Sequence, residues 1–348
     1  MIRRAARHLL YHALNSDVSL ARLRRALRRH GVVVLMYHEV WGDSEEIDAW
    51  TVTRRSEFLR QVEYLRRHYD VLTLDEAAAR LAAPARGVRP GVVITFDDGH
   101  QGLVDVLLPM VESEHLPVTI YLASGHIERQ CHMWFDRVIN ALQVAEPLEI
   151  DLGPLYGAGS FHFSGVPGQA TWLEIDRLLE VAKSSSIERC EDLAREVERQ
   201  AARAARRAGA RLMPLRPDGV GALARSRWIE IGGHSHCHGL FPLLSPAERR
   251  ESLQRNRELL REWTGREIRH FAYPSGEHDA ASVCAVAESG FATAVTTVPG
   301  IWTAATPVHR IPRVGVGRYD DMSVFRIAAT GGIGITRRLL LSGPSARI

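Results

Sequence analysis

The sequence predicts a parallel α/β fold, either a barrel or a sheet, on three observations. Short continuous apolar runs, the mark of strands buried on both faces, recur along the chain. Helix-periodic stretches separate them. The two alternate from Gly31 to about Glu114 and again from Trp228 to about Thr296, the order in which a parallel sheet lays down strands and crossover helices.

Val32-Val33-Val34-Leu35-Met36 reads as the first buried strand, with Tyr37 and His38 at its C-terminal end. A periodic helix follows around Glu57 to His68, then a short strand Val71-Leu72-Thr73-Leu74 and a helix whose N-cap candidate is Asp75. Val92-Val93-Ile94-Thr95-Phe96 is the next strand, then a helical stretch to about Glu114, then the strand Val118 to Leu122. Between about residues 130 and 227 the alternation gives way to Gly/Pro-rich loops and an Arg/Ala/Glu-rich helical segment, Ile187 to Ala208, which reads as an insertion covering one face of the fold. The pattern resumes with Trp228-Ile229-Glu230-Ile231, a capped helix from Ser245-Pro246 to Trp263, a strand at Phe271, a helix near Asp279 to Glu288 and a strand from Phe291 to Thr296. No repeat or low-complexity linker divides the chain. One domain is expected over residues 31–318, flanked by an arm, residues 1–30, and a C-terminal extension, residues 319–348.

At 348 residues, 45% of them hydrophobic, the chain can bury one large core or two modest ones. The net charge of +3 is small beside 44 basic and 41 acidic residues, and after residue 40 the basic side chains lie among many acids. A nucleic-acid partner is therefore not expected. Cys131, Cys190, Cys237 and Cys284 lack CxxC spacing and read as reduced thiols. Arg7, His8, His12, Asn15 and Asp17 interrupt the first apolar stretch, which argues against a cleaved leader, and no run reaches the roughly 20 apolar residues of a membrane span. A cytoplasmic, soluble protein is expected. The arm carries eight arginines against Asp17, with leucines at loosely helical spacing. It reads either as an interfacial helix making peripheral contact with the inner membrane surface, or as a helix packed on the domain with a solvated arginine face.

Two constellations carry chemistry. In Thr95-Phe96-Asp97-Asp98-Gly99, two carboxylates sit where a buried strand ends, which is where parallel α/β folds bind ligands. One can ligate a metal while the other stays free as a proton acceptor, although Asp-Asp-Gly is also ordinary turn composition. His234-Ser235-His236-Cys237-His238 also follows an apolar strand. Histidines four apart can converge on one face of a helical turn, and imidazole suits zinc-like metals; His236 and Cys237 stand as alternative ligands. Two histidines and one carboxylate leave a position open, as a catalytic rather than a structural metal site does.

The pair Thr-Phe-Asp-Asp-Gly at 95–99 and His-Ser-x-x-His at 234–238 resembles the NodB-homology polysaccharide deacetylases, carbohydrate esterase family four. The likeness spans most of 31–129 and 228–318, including Leu35-Met36-Tyr37-His38 and Phe271-Ala272-Tyr273-Pro274-Ser275-Gly276. It implies a distorted (β/α) barrel in which Asp98, His234 and His238 hold a divalent metal, zinc or else cobalt, nickel or manganese. It implies Asp97 as general base, and an oxyanion donor from the Tyr273–Gly276 loop, with Tyr273 and Ser275 at the substrate. The products would be acetate and a free amino sugar, from an N-acetylated glycan or lipid-linked sugar. An O-deacetylase, or a glycan-binding module on the same fold, is the alternative.

This chain departs from the family pattern in three places. Ala272-Tyr273-Pro274-Ser275-Gly276 lacks the arginine that braces the base, and Arg313 is the candidate replacement. No Leu-x-His motif closes the chain, so His38 is the candidate acid, as in members that look circularly permuted, with His309 in reserve. The insertion opens with Met133-Trp134-Phe135-Asp136, and Trp134 or Trp172 is a candidate for stacking on sugar rings. Similar insertions appear in relatives linked to surface-polysaccharide synthesis.

Overall fold

The structure is a computed structural model, and it describes residues 15–83, 87–209 and 211–332. Its strands are β1 (Val32–Tyr37), β2 (Glu39–Trp41), β3 (Val52–Arg54), β4 (Asp70–Val71), β5 (Gly91–Phe96), β6 (Val118–Leu122), β7 (Leu148–Asp151), β8 (Ser160–Phe163), β9 (Ile229–Gly233), β10 (His270–Ala272), β11 (Thr293–Val295) and β12 (Val314–Gly315). One sheet runs β11-β10-β9-β6-β5-β1-β12, with β4 beside β5, and every pair in it is parallel. β4 and β6 share one edge of β5: Val71 pairs with Val92 at its start and Ile120 with Phe96 at its end. The sheet curls, and a single segment spans the gap between its ends, since Ile311 bridges Val295 while Val314 pairs with Leu35. Of the barrel or sheet that the alternation of strands and helices predicts, this is the barrel, distorted as the family resemblance implies.

The period of two sorts each strand between two cores. Val32 and Val34 cluster with Val93, Tyr121, Ala272 and Val295 inside the curl. Val33, Leu35 and Tyr37 join the large core beneath the surrounding helices, against Phe58 and Val62 of helix Arg55–His68. With both faces covered, continuous apolar runs are what these strands require.

Two local readings need correction. Thr73, not Asp75, caps helix Leu74–Ala82: its Oγ1 accepts from Glu76 N at 3.1 Å while Glu76 Oε2 accepts from Thr73 N at 2.8 Å. This reciprocal box needs a hydroxyl three residues before a glutamate, a spacing Asp75 does not have. The stretch before Glu114 is not one helix. A π-turn over Leu103–Leu107 precedes helix Leu108–Glu114, whose second residue is a proline with no N–H to donate backwards.

The inserted region has a core of its own. Helices Trp134–Ala141, Gln169–Leu179 and Ile187–Ala201 and the antiparallel hairpin β7–β8 bury Val138, Ile150, Phe161, Ile175, Leu193 and Val197 together with Trp41 and Val52 of β2 and β3. The arginine-rich helix ends at Ala201, short of Ala208. In the arm, helix Asp17–His30 buries Leu20 and Leu27, and Leu20 packs on Ile327 of helix Met322–Ala328. The remaining positions of the arm, residues 1–14, and the end of the extension, residues 333–348, lie outside the described residues. No described helix is long and apolar enough to cross a membrane.

Candidate metal and catalytic site

Every chemical group of the site sits at or just beyond the C-terminal end of a barrel strand, or just before β12. Asp97 and Asp98 follow β5, His234 follows β9, His38 follows β1, and Arg313 precedes β12. Parallel strands bring these ends to one rim, so residues far apart in sequence meet there.

Asp98, His234 and His238 offer ligand atoms that lie within 4.8 Å of one another. His234 Nδ1 donates to Ala272 O at 2.7 Å, which turns Nε2 toward Asp98 Oδ1 at 3.4 Å; His238 Nε2 lies 3.3 Å from the same oxygen. Burial works against charge on Asp98, but the adjacent His234 and His238 imidazoles hold its carboxyl well below the ordinary value. One carboxylate oxygen and two imidazole nitrogens, with the histidine tautomer fixed from behind, form a donor set that fits zinc or a similar divalent ion.

The histidines do not converge through a helical turn. The chain bends, with Ser235 at φ 65 and His238 at φ 53, and Ser235 Oγ accepts from His238 N at 3.0 Å. Asp98 at φ 76 and Ser275 at φ 54 are left-handed too, so of the six described non-glycine residues with positive φ three line the cavity and Ser235 lies between its two histidines; the other two, His115 and Gln130, end helices. Such conformations persist where surrounding contacts fix them.

Asp97 is gripped from behind. Arg313 Nη1 and Nη2 each donate to one of its carboxylate oxygens at 2.6 Å, while Nη1 also reaches Thr95 Oγ1 at 3.1 Å and Nε donates to Thr296 O at 3.0 Å. The guanidinium is fully buried and lies over the Tyr121 ring. Burial alone would raise the Asp97 carboxyl; Arg313, with His234, lowers it instead.

A cavity of about 310 Å³ opens over these groups. His38, Asp97, Asp98, His234 and His238 line it, with Ser275 and Thr297, and His38 Nδ1 is buried with no partner among the described residues. Burial lowers the His38 pKa against the pull of Asp98 and Asp97. Trp134, Phe135, Ile139, Trp172 and Leu179 of the inserted region line the cavity too, with Asp176 and Lys183, and the Phe135 ring packs edge-on to His238 at 5.3 Å between centroids.

The structure separates the other candidates from this cavity. Tyr273 is buried against Phe241 and Phe271, its hydroxyl donates to His309 O at 3.1 Å and its N–H to Val295 O at 3.2 Å. It contributes neither a ring nor an N–H to the cavity, because both serve the barrel wall. With Gly276 N bonded to Tyr273 O, the N–H left in that loop is the one of Ser275. His309 is tied to Phe291 O, His236 to Ser124 Oγ, and Cys237 turns to Ser252.

Sequence reasoning missed a buried set beside the site. His100 Nε2 lies 3.0 Å from Asp136 Oδ2, and against the effect of burial Asp136 pushes the imidazole up to about 10. Glu39, raised by burial to about 7, accepts from Gly102 N at 2.7 Å. The signal was present as an acid two residues after Trp134, in a stretch read only for its aromatics.

Residues 86–294 match the sequence profile described as polysaccharide deacetylase. No curated protein matches the chain. Among solved structures, the chain is similar to a Streptococcus pyogenes deacetylase, PplD, solved in complex with acetate, at 14% identity and TM-score 0.52, covering 86% of this chain and 98% of that one. It is similar to IcaB from Ammonifex degensii at 18% identity and TM-score 0.52, covering 87% and 97%. A de-N-acetylase from Aggregatibacter actinomycetemcomitans aligns at 12% identity and TM-score 0.53, covering 85% and 98%. At these identities the likenesses establish the fold.

Proposed function

The chain belongs to the polysaccharide deacetylase family, and from that premise we propose that it hydrolyses the acetamide of an N-acetylated glycan or lipid-linked sugar to acetate and the free amine. The observation that carries this reading is the pairing of a clamped, ionised Asp97 with the ligand set Asp98, His234 and His238 in one cavity. Asp98, His234 and His238 would hold a divalent ion, zinc or a similar one, which would supply Lewis acidity for the acetyl carbonyl and make a water easier to deprotonate.

Asp97 takes a proton from the attacking water as its oxygen bonds to the carbonyl carbon. Arg313 keeps that carboxylate ionised and fixes both oxygens, so the base is pre-oriented. The Ser275 N–H is the donor the chain offers to the oxyanion that develops on the carbonyl oxygen. His38, which lines the cavity beside Asp97 and Asp98, delivers a proton to the departing nitrogen as the C–N bond breaks. Trp134 and Trp172 give the sugar an aromatic face to rest on.

The test is acetate release from a panel of N-acetylated oligosaccharides and lipid-linked sugars, before chelation, after chelation and after zinc is restored, with wild type and Asp97→Asn. Release that requires both the metal and Asp97 is the expected result. Release that survives chelation, or that survives Asp97→Asn at the wild-type rate, sinks the mechanism.

A further inference from the structure

The turn that carries the two catalytic carboxylates holds two consecutive left-handed residues, Asp98 at φ 76 and Gly99 at φ 103. A residue with a side chain stays there only while its neighbours hold it. The barrel supplies part of the restraint: Asp97 N donates to Tyr37 O and Ala123 N to Asp98 O, each at 3.0 Å, and Arg313 holds the Asp97 carboxylate. The inserted region adds further restraints at Gly99, His100 and Gln101, from two separate segments. Its closing segment lies along the turn, with Leu215 N donating to Gly99 O and Gln101 N to Met213 O, each at 2.9 Å, and a bridge pairs His100 with Pro214. Its first helix, Trp134–Ala141, sends Asp136 to the His100 imidazole, with Oδ1 at 3.1 Å and Oδ2 at 3.0 Å from Nε2. Asn140 of the same helix joins these two segments, bonding the N–H and the carbonyl of Leu212 at 3.0 Å each.

We propose that Asp136 is a positioning residue that acts through His100 to hold the Asp97–Gly99 turn, so that the inserted region, and not the barrel alone, sets the place of the Asp98 ligand oxygen. The inference rests on the reading of Asp98 as a metal ligand. Both partners are buried, at 1% exposure for His100 and 2% for Asp136, and neither lines the cavity, so their contact with each other is not a contact with substrate. The pair therefore acts on geometry, as an acid behind a metal-ligating histidine does, but one step further along the backbone.

Full-length protein loaded with cobalt tests this without turnover, because the cobalt ligand-field absorption reports ligand geometry and competition with a chelator reports affinity. Asp136→Asn is expected to keep the wild-type circular dichroism, to bind cobalt roughly 10- to 100-fold more weakly, and to shift the absorption band. Asp136→Glu is expected to recover part of the loss. In acetate release, the deficit should fall on kcat more than on KM. A folded Asp136→Asn with wild-type cobalt affinity and an unshifted band overturns the proposal. If Asp136→Asn does not fold, the pair His100→Gln and His100→Leu makes the test from the other side: Gln retains an N–H for Asp136 and should bind cobalt more tightly than Leu, and equal affinities overturn the proposal. Wild type that binds cobalt yet releases no acetate would place the error in the proposed substrate and leave this comparison intact.

Discussion

The cavity is lined partly by the barrel and partly by the inserted region, and the two linings are built by different rules. The barrel lining presents two acids and three histidines on short loops, several in left-handed conformations, with a fully buried arginine behind them. The inserted lining presents Trp134, Phe135, Ile139 and Trp172 from regular helices over a separate apolar core. Bond-making chemistry needs particular atoms held at fixed separations, and the barrel lining is over-restrained to supply them. Recognition of a sugar needs area and shape, which helices packed over a second apolar cluster can provide. If that division is right, changes on the barrel lining should alter kcat or metal content, and changes on the inserted lining should alter KM.

The largest effects should follow from the ligands and the base. His234→Ala is expected to lose both metal and turnover, while Asp97→Asn should keep stoichiometric metal and lose kcat by about 100- to 10,000-fold; metal analysis alongside acetate release separates the two. Arg313→Met should come next, since it leaves Asp97 as a buried charge without its partner, a change that costs about 3–5 kcal/mol and is read by chemical denaturation. In the wild type the Asp97 carboxyl lies below its unfolded value of about 4, so its contribution to stability is present above that pH and is lost as pH falls through the depressed folded value. Without Arg313 that carboxyl rises, and the acidic limb of the kcat/KM profile should move to higher pH. His38→Gln should lower kcat about 100-fold on acetamides and much less on an acetate ester, whose leaving group needs less help from an acid. Trp172→Ala should have the smallest effect, a roughly threefold to tenfold rise in KM at constant kcat. A loss confined to kcat would break the division between the linings.

The barrel was legible because its strands are continuous apolar runs that end abruptly at chemistry: Phe96 is followed by Asp97, and Gly233 by His234. Arg313 was singled out differently, as the replacement for the arginine that the family resemblance leads one to expect in the Ala272–Gly276 stretch. Local shape was harder to read. The spacing of His234 and His238 identified two side chains that meet, but not the bend at Ser235 that brings them together, because a four-residue interval fits a helical turn equally well. Tyr273 was chosen from its place beside Pro274 and Gly276, and its ring instead fills the space against Phe241 and Phe271. The hairpin β7–β8 escaped notice because each strand has four residues, with Ile150, Phe161 and Phe163 the only fully buried positions. Asp136 escaped for a different reason: its partner, His100, comes from another loop, and no periodicity within either segment signals the pair.

The clamp on Asp97 also bears on when the site is completed as the chain emerges. Arg313 stands 216 positions after the carboxylate it grips, and β12, which follows it directly, pairs with β1 at the opposite end of the chain. Domains fold largely as their residues emerge during synthesis. By then the proposed ligands Asp98, His234 and His238 have long since left the ribosome, but Asp97 has no guanidinium behind it and one edge of β1 lacks its neighbour. A nascent chain stalled before residue 313 is thus expected to acquire its metal ligands before it acquires a working base.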